Sequence, residues 1–284
     1  MNIQTIMVVG AGQMGSGIVQ VAAASGLKVL LHDISIGVID KGLTSIDKQL
    51  SRAVEKGGLT EVRKSEIRSR IGPAEQLEHA EQVDLVIEAI SENMGLKTSL
   101  FQKLDAICTP KTILASNTSS LPITEIAAVT QRPAQVIGMH FMNPVPVMPL
   151  VEVIRGLETS QEVFEAVYKL SERLGKTPVE VKDFPGFVSN RILMPMINEA
   201  IFTVYEGVAS VESVDTVMKL GMKHPMGPLE LADFIGLDTC LSIMEVLYDG
   251  FKDSKYRPCP LLRKYVKAGR LGRKSGQGFY SYHG

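Results

Sequence analysis

Residues 6–18, IMVVGAGQMGSGI, are the segment that most clearly predicts the fold of the N-terminal part of the chain. Its first four residues are apolar and mostly β-branched, which predicts a buried strand. Gly10, Gly12 and Gly15 follow in a GxGxxG pattern, and the chain then takes helical spacing. Asp33 ends the next predicted strand, 18 residues after Gly15. Together these features predict a dinucleotide-binding βαβ unit.

Each part of this loop has its own physical role. Gly10 permits the tight turn, Gly12 lets the backbone approach a pyrophosphate, and Gly15 lets helix and strand pack closely. The first N–H groups of the helix, at Gln13 and Met14, have no partner within it, so they favour an anion together with the helix dipole. We therefore expect these five residues to bind the phosphates of a dinucleotide.

The residues after the second strand indicate which dinucleotide binds. A carboxylate at Asp33 accepts hydrogen bonds from the adenosine ribose hydroxyls and repels a 2′-phosphate. The next three residues, Ile34–Ile36, supply no arginine that would hold such a phosphate. The sequence therefore favours NAD over NADP.

Short apolar runs alternate with helical patterns up to Asp183. After the first two strands, the predicted strands are residues 83–90, 112–117, 135–141, 151–155 and 178–183. This alternation predicts an α/β fold, a Rossmann-type, doubly wound and mainly parallel sheet. Residues 37–70 interrupt it and predict a hairpin of two helices joined at Gly57–Gly58.

The pattern changes after the segment Asp183-Phe184-Pro185-Gly186. The stretches 187–206, 211–220 and 227–249 have helical spacing, and strong strand patterns end. We therefore predict two domains, a dinucleotide-binding domain over residues 1–185 and an all-helical domain over residues 186–284.

The composition excludes several classes of protein. Of 284 residues, 45% are apolar and 21% charged, and 30 Lys and Arg against 31 Asp and Glu give a formal charge of −1. Such a balance argues against a nucleic-acid partner. The sequence contains no apolar run of the ~20 residues that a membrane helix needs, and its start does not resemble a secretory signal. Three scattered cysteines and five histidines without metal spacing lead us to expect a cytoplasmic protein with no metal site.

A residue suited to acid–base chemistry is found in the segment IGMHFMNPVP. His140 ends a predicted strand there, and ligands of a doubly wound sheet collect at the carboxyl ends of its strands. Glu152 follows in the next strand, so the intervening loop can bring the two side chains together. A carboxylate on one imidazole nitrogen fixes the tautomer and leaves the other nitrogen for proton transfer. Taken singly, each residue also has a purely structural interpretation.

Three other polar features have both a structural and a functional interpretation. Ser116–Ser120 at the end of a predicted strand are either a capped turn or hydroxyls that reach the same crevice. Asn190, near the start of the helical domain, is either solvated or bonded to a substrate oxygen. Lys48, Arg52 and Lys56 recur at steps of four, which indicates either a solvated helix face or a patch for a phosphorylated ligand.

Seven separated segments, in the same order, carry a resemblance to a known family. They are VVGAGQMGSGI, VIEAISEN, SNTSSLPIT, GMHFMNPVPVMPLVEVI, DFPGFVSNRIL, HPMGPLELADFIGLD and GRKSGQGFY. Over essentially its whole length the chain resembles the 3-hydroxyacyl-CoA dehydrogenase family, and most closely the family's short bacterial members. The resemblance implies interconversion of (S)-3-hydroxyacyl-CoA, here 3-hydroxybutyryl-CoA, and 3-oxoacyl-CoA with NAD, in fatty acid and butanoate metabolism.

The resemblance also implies roles for individual residues. His140 matches the family's catalytic base and Glu152 the carboxylate that orients it. Ser119 and Asn190 match residues that hydrogen-bond the reacting part of the acyl substrate. The implied cofactor contacts are Glu92, Lys97, Ser119, Asn143 and Lys274. The implied coenzyme A contacts are Arg52, Lys56, Lys97 and Ser119. A homodimer formed through the helical domain is implied as well.

Three alternatives differ from this interpretation in testable ways. A dehydrogenase of the 6-phosphogluconate type would use a lysine as acid and base, whereas this chain offers His140 and Glu152. A related sugar-acid dehydrogenase would act on free acids without coenzyme A. A non-catalytic NAD-binding protein, like the lens crystallin relatives of the family, would bind NADH without oxidising it.

Overall fold

The structure, a computed structural model, describes residues 2–282. The chain divides into two compact units, of which the first ends at Asp183 and the second begins at Phe184. Each unit has an apolar core of its own. Among the helices in this part of the chain, none has both the length and the apolar character that crossing a membrane requires.

The first unit is built on one sheet, which has eight strands among the described residues. In chain order they are β1 (Thr5–Val9), β2 (Lys28–His32), β3 (Ile71–Pro73), β4 (Leu85–Glu88), β5 (Ile113–Ser116), β6 (Val136–Phe141), β7 (Leu150–Arg155) and β8 (Thr177–Lys182). Their order across the sheet is β3-β2-β1-β4-β5-β6-β7-β8. Every neighbouring pair is parallel except the antiparallel pair β6 and β7. The predicted mainly parallel sheet is confirmed, and the short edge strand β3 is an addition to it.

Helices pack against this sheet as the strand pattern predicts. They are α1 (Gln13–Ala24), α2 (Ile36–Glu55), α3 (Glu61–Ser69), α4 (Met94–Ile107), α5 (Ile123–Ala128) and α6 (Gln161–Arg173). All residues of the central strands β4 and β5 are buried, as expected where helices cover both faces. Helices α2 and α3 form the predicted hairpin, and α2 buries its apolar stripe while exposing the opposite side.

The second unit is helical over its described residues. Its helices are α7 (Ser189–Tyr205), α8 (Val211–Gly221), α9 (Pro228–Ile235), α10 (Leu237–Phe251) and α11 (Pro260–Lys267). The predicted helical stretch over 227–249 contains two helices, because Gly236 separates α9 from α10. Its φ of +102° lies in the left-handed region, where glycine is favoured and a helix ends.

Two buried aspartates hold the second unit together. Asp215 accepts hydrogen bonds from the backbone N–H groups of Leu229 and Glu230 and so caps α9 from another helix. Asp233 accepts bonds from the N–H groups of Phe279 and Tyr280, which ties the C-terminal segment to α9. Burial raises the pKa of Asp233. Two of the segments that carry the family resemblance, HPMGPLELADFIGLD and GRKSGQGFY, therefore contain residues that stabilise the second unit.

Candidate active site

The glycine loop has the close contacts that its sequence predicts. Gly10 adopts a φ of +113°, and its N–H donates to the carbonyl of His32 at 2.8 Å. A Cβ built on Gly15 would lie 1.7 Å from the Gly10 carbonyl oxygen, so α1 approaches β1 too closely for any side chain. A Cβ on Gly12 would meet nothing within 4 Å. The loop backbone therefore faces open space at Gly12, where a pyrophosphate is expected.

The start of α1 and the end of β2 fit a dinucleotide. None of the described side chains caps the N-terminus of α1, so the N–H groups of Gln13 and Met14 point outward. Asp33 accepts bonds from the N–H groups of Ala11, at 2.6 Å, and Ile34, at 2.7 Å. These bonds fix both carboxylate oxygens, and each oxygen keeps a lone pair for a ribose hydroxyl.

His140 and Glu152 form a hydrogen-bonded pair across β6 and β7. They lie directly opposite each other in the antiparallel register, and His140 Nδ1 is 2.7 Å from Glu152 Oε2. The histidine side chain is 10% exposed and the glutamate 3% exposed, so the imidazole keeps access to a ligand. Because an ionised carboxylate only accepts hydrogen bonds, this pairing favours the tautomer with the proton on Nδ1, in which Nε2 is the basic nitrogen.

The register of the sheet places this pair at the same edge as the glycine loop. Val9 is level with Glu88, Glu88 with Ser116, and Ser116 with Gly138. His140 is two residues further along β6, beyond the carboxyl ends of the neighbouring parallel strands. Ligands of doubly wound sheets bind at this edge.

The loop that carries Ser119 is held by the carboxylate of Glu92. Glu92 Oε1 accepts hydrogen bonds from Thr118 Oγ1 at 2.6 Å, Ser119 N at 2.8 Å and Ser119 Oγ at 3.1 Å. On the other side, Asn117 Oδ1 accepts a bond from the N–H of Phe141, next to His140. Ser119 is therefore fixed between the end of β5 and the end of β6.

A buried lysine lies between two glutamates behind this loop. Lys97 Nζ is 2.5 Å from Glu88 Oε1 and 3.4 Å from Glu92 Oε2, and the Lys97 side chain is 1% exposed. Partial burial raises the pKa of Glu92, but the Lys97 ammonium and the bonds from Thr118 and Ser119 outweigh it and hold the pKa below its ordinary value. The structure thus places Lys97 behind the Ser119 loop, among carboxylates.

Glu88 is a residue of this site that the sequence analysis misses. Its side chain is fully buried, and its oxygens accept bonds from Ser116 Oγ at 2.6 Å and Ile90 N at 2.7 Å besides the Lys97 ammonium. A charged residue inside the apolar run VDLVIEAI is the signal that could have indicated a buried ion pair.

Asn143 connects the His140 strand to the dinucleotide helix. It follows β6, and its side-chain oxygen accepts a hydrogen bond from Gln13 Nε2 at 3.0 Å. Gln13 is the first residue of α1. The loop after His140 therefore reaches the end of α1 at which the phosphates are expected.

The basic stripe on α2 lies on the exposed side of that helix. Lys48, Arg52 and Lys56 are all exposed. Of the bases that follow, Arg63 donates to Ala24 O and Lys64 to Ser51 Oγ. The first three side chains are thus the ones that face solvent as a group.

Two predicted site residues belong to the second unit. Asn190 lies in the first turn of α7 and is 8% exposed, which differs from a solvated helix position. Lys274 Nζ lies 2.7 Å from Asp238 Oδ2 at the start of α10. The Lys274 side chain is thus held by a residue of its own unit.

Comparisons with known proteins cover nearly the whole chain. Residues 5–184 match the family model for the NAD-binding domain of 3-hydroxyacyl-CoA dehydrogenase, and residues 186–282 match the model for its C-terminal domain. A probable 3-hydroxybutyryl-CoA dehydrogenase of Bacillus subtilis is 67% identical and covers 99% of this chain and 98% of its own. One from Deinococcus radiodurans is 60% identical, with 97% and 99% covered. The crystal structure of (S)-3-hydroxybutyryl-CoA dehydrogenase from Ralstonia eutropha superposes with a TM-score of 0.97, at 52% identity and full coverage of both chains.

Proposed function

Because the chain belongs to the 3-hydroxyacyl-CoA dehydrogenase family, we propose that it interconverts (S)-3-hydroxybutyryl-CoA and acetoacetyl-CoA. In the oxidative direction the substrate and NAD⁺ give acetoacetyl-CoA, NADH and a proton. The observation that carries the proposal is the 2.7 Å pair of His140 and Glu152 at the sheet edge that also bears the glycine loop. Family membership argues against the lysine-dependent alternative.

His140 is proposed to move the proton. Its Nε2 takes the hydroxyl proton of the substrate as the C3 hydride leaves, and in the reducing direction the protonated ring donates to the forming alkoxide. Glu152 keeps the Nδ1 proton in place, so that Nε2 remains the acceptor. Ser119 and Asn190 are proposed to hydrogen-bond the substrate oxygens and orient C3.

The cofactor side of the proposal uses the fixed geometry of the first unit. Bound NAD supplies the hydride acceptor. Gln13 and Met14 are proposed to donate to its phosphates, and Asp33 to accept from its ribose. The further contacts proposed from the family are Glu92, Lys97, Ser119, Asn143 and Lys274. Of these, Lys97 is buried, so it would act on the cofactor indirectly, through Glu92 and the Ser119 that Glu92 holds.

The coenzyme A end is assigned to the basic stripe of α2. Three exposed cations at steps of four can follow a chain of phosphates, and Lys56 and Arg52 are the two that the family resemblance selects. With Ser119 nearer the thioester, and Lys97 supporting its loop through Glu92, these residues would hold the two ends of the substrate.

The helical domain, residues 186–284, is proposed to form a homodimer, with residues 1–185 as the NAD-binding domain. A groove of about 500 Å³ along α7 and α8 has an apolar lining. Val208 and Val217 line it and are 72% and 60% exposed. Exposed apolar surface of this kind favours association, here with a second copy. Three free, buried cysteines support our placing the protein in the cytoplasm.

The decisive experiment is NADH oxidation with acetoacetyl-CoA, run beside free acetoacetate, a series of longer 3-oxoacyl-CoA substrates, and NADPH. We expect turnover with acetoacetyl-CoA and NADH, and little with the free acid or with NADPH. His140→Gln should lower kcat by about 10²–10⁴ and leave the Kd of NADH within about twofold. The proposal is contradicted if the wild type binds NADH without oxidising it, or if His140→Gln loses NADH affinity as strongly as it loses kcat.

A further inference from the structure

Lys176 is a buried lysine outside the site described so far. It lies in the turn between α6 and β8 and is 9% exposed. Its ammonium has no acidic partner among residues 2–282 and donates instead to two backbone carbonyls, Val145 O at 2.5 Å and Met148 O at 2.8 Å. Burial lowers its pKa. An ammonium is costly to bury, so these two bonds require an explanation.

The backbone of Lys176 is itself held firmly. Gly175, with a φ of +72°, ends α6, and its N–H donates to Glu172 O while that of Lys176 donates to Ser171 O. This is the Schellman arrangement of a helix C-terminus. The next N–H, of Thr177, donates to Pro149 O at 2.7 Å. Lys176 therefore projects from a rigid turn toward the loop of residues 142–149.

That loop is also fixed on its opposite side, against α1. Val145 is 2% exposed, and a Cβ built on Gly17 of α1 would lie 2.9 Å from Val145 Cβ. The Val145 side chain thus occupies the space that Gly17 leaves open, while its carbonyl accepts the Lys176 bond. Two residues earlier, Asn143 accepts the bond from Gln13.

We propose that Lys176 is a positioning residue for the dehydrogenase reaction: it holds the loop of residues 142–149 against α1 and so keeps Asn143 at the end of the helix where NAD binds. The inference rests on the proposed function for the role of Asn143. The buried ammonium thus acts on the geometry of the cofactor site through its hydrogen bonds to two backbone carbonyls of the loop.

The test compares Lys176→Met with Lys182→Met, a matched change at an exposed lysine of β8. NADH affinity is measured by fluorescence titration, with kcat and the KM values for NADH and acetoacetyl-CoA beside it. We expect Lys176→Met to raise the Kd and KM of NADH about tenfold and the KM of acetoacetyl-CoA less than about twofold, with partial recovery in Lys176→Arg. Lys182→Met should match the wild type.

If Lys176 only stabilises the fold, Lys176→Met will lower the melting temperature and leave the NADH affinity unchanged. That result overturns the inference. If Lys176→Met does not fold, Gly17→Ala decides the matter, because its methyl group presses on Val145 from the other side. It should weaken NADH binding, and unchanged binding overturns the inference. An inactive wild type that still binds NADH contradicts the proposed function instead, since the affinity comparison remains measurable.

Discussion

We propose that the carboxylate of Glu152 determines which nitrogen of His140 carries the ring proton. Glu152 Oε2 lies 2.7 Å from Nδ1, and the direct pairing of β6 and β7 at these residues places the two side chains next to each other. An amide in place of the carboxylate can donate to Nδ1 and so place the ring proton on Nε2, the wrong nitrogen for a base.

Glu152→Gln is therefore expected to lower kcat by about 10²-fold or more and to leave the Kd of NADH within about twofold. Steady-state kinetics and NADH titration measure the two quantities. Glu172→Gln, at an exposed glutamate of α6, is the control and should behave as wild type. Equal kcat in both variants would show that the pair is structural.

Glu92 makes stability depend on pH through its lowered pKa. A carboxyl whose pKa is lower in the folded state than in the unfolded state stabilises the fold above its unfolded value, about 4.3 for glutamate, and this contribution disappears as the pH falls through the folded value. The side chain is 36% exposed, so solvent screens part of the effect.

Glu92→Gln should consequently be less stable than wild type at pH 7. The difference in the free energy of unfolding between the two proteins should become smaller as the pH falls below about 4. Urea midpoints across this pH range measure it. Glu158→Gln, at an exposed glutamate, should show no such convergence. If the stability difference between Glu92→Gln and wild type stays constant with pH, the variant is destabilised by altered hydrogen-bond geometry and not by the missing charge.

At the scale of elements, the contact of α1 with β1 depends on one missing side chain. A methyl group at Gly15 would meet the Gly10 carbonyl, so Gly15→Ala must displace the start of α1. We expect a loss of about 1–3 kcal/mol in the free energy of unfolding and a rise of at least about tenfold in the Kd of NADH.

Chemical denaturation and NADH titration test both parts of this prediction. Gly37→Ala is the matched control, because a Cβ there meets nothing within 4 Å and the residue lies in α2. That variant should be as stable as wild type or more stable by up to ~1 kcal/mol. Similar losses at both positions would contradict the argument from close approach.

Helix α2 buries one side in the fold, and its other side carries the cations that we propose bind coenzyme A. Its apolar stripe is buried, so the exposed cations are free to act on a ligand without a cost in stability. Changing Arg52 and Lys56 together to Ala should raise the KM for acetoacetyl-CoA about fivefold or more, roughly 1 kcal/mol.

The same double variant should leave the KM for acetoacetyl-pantetheine unchanged, since that substrate lacks the nucleotide end. Lys103→Ala, at an exposed lysine of α4, serves as the charge control. An equal rise in KM for both substrates would place the effect at the acyl end and contradict the assignment of the stripe.

Across the whole molecule, the sequence predicts what depends on local pattern. The glycine loop, the strand–helix alternation and the α2–α3 hairpin follow from residue spacing, and the placing of His140 beside Glu152 follows from strand order. The edge strand β3 escapes prediction because Ile-Gly-Pro has no strand pattern.

The partners of buried charges are the features that local pattern does not predict. Glu88, Lys97 and Lys176 are residue types expected at the surface, and each is buried together with a polar partner. Lys97 pairs with Glu88, nine residues earlier, and Lys176 with the carbonyl of Val145, 31 residues earlier. Lys97 enters the sequence analysis only through the family resemblance, which does not indicate that it is buried between glutamates. Which group satisfies each buried charge is determined by the tertiary structure.

The assembly of two chains is the prediction that belongs to the molecule as a whole. We propose that apolar side chains of a second copy cover the groove along α7 and α8. A charge placed in the groove would have to be desolvated when that copy binds. Val217→Glu should therefore yield the mass of a single chain by sedimentation, where the wild type gives two. NADH affinity should persist, because the dinucleotide loop lies in the other unit. Val62→Glu, the same change at a 72% exposed valine of α3, should leave the dimer intact, and a dimeric Val217→Glu would exclude this surface as the interface.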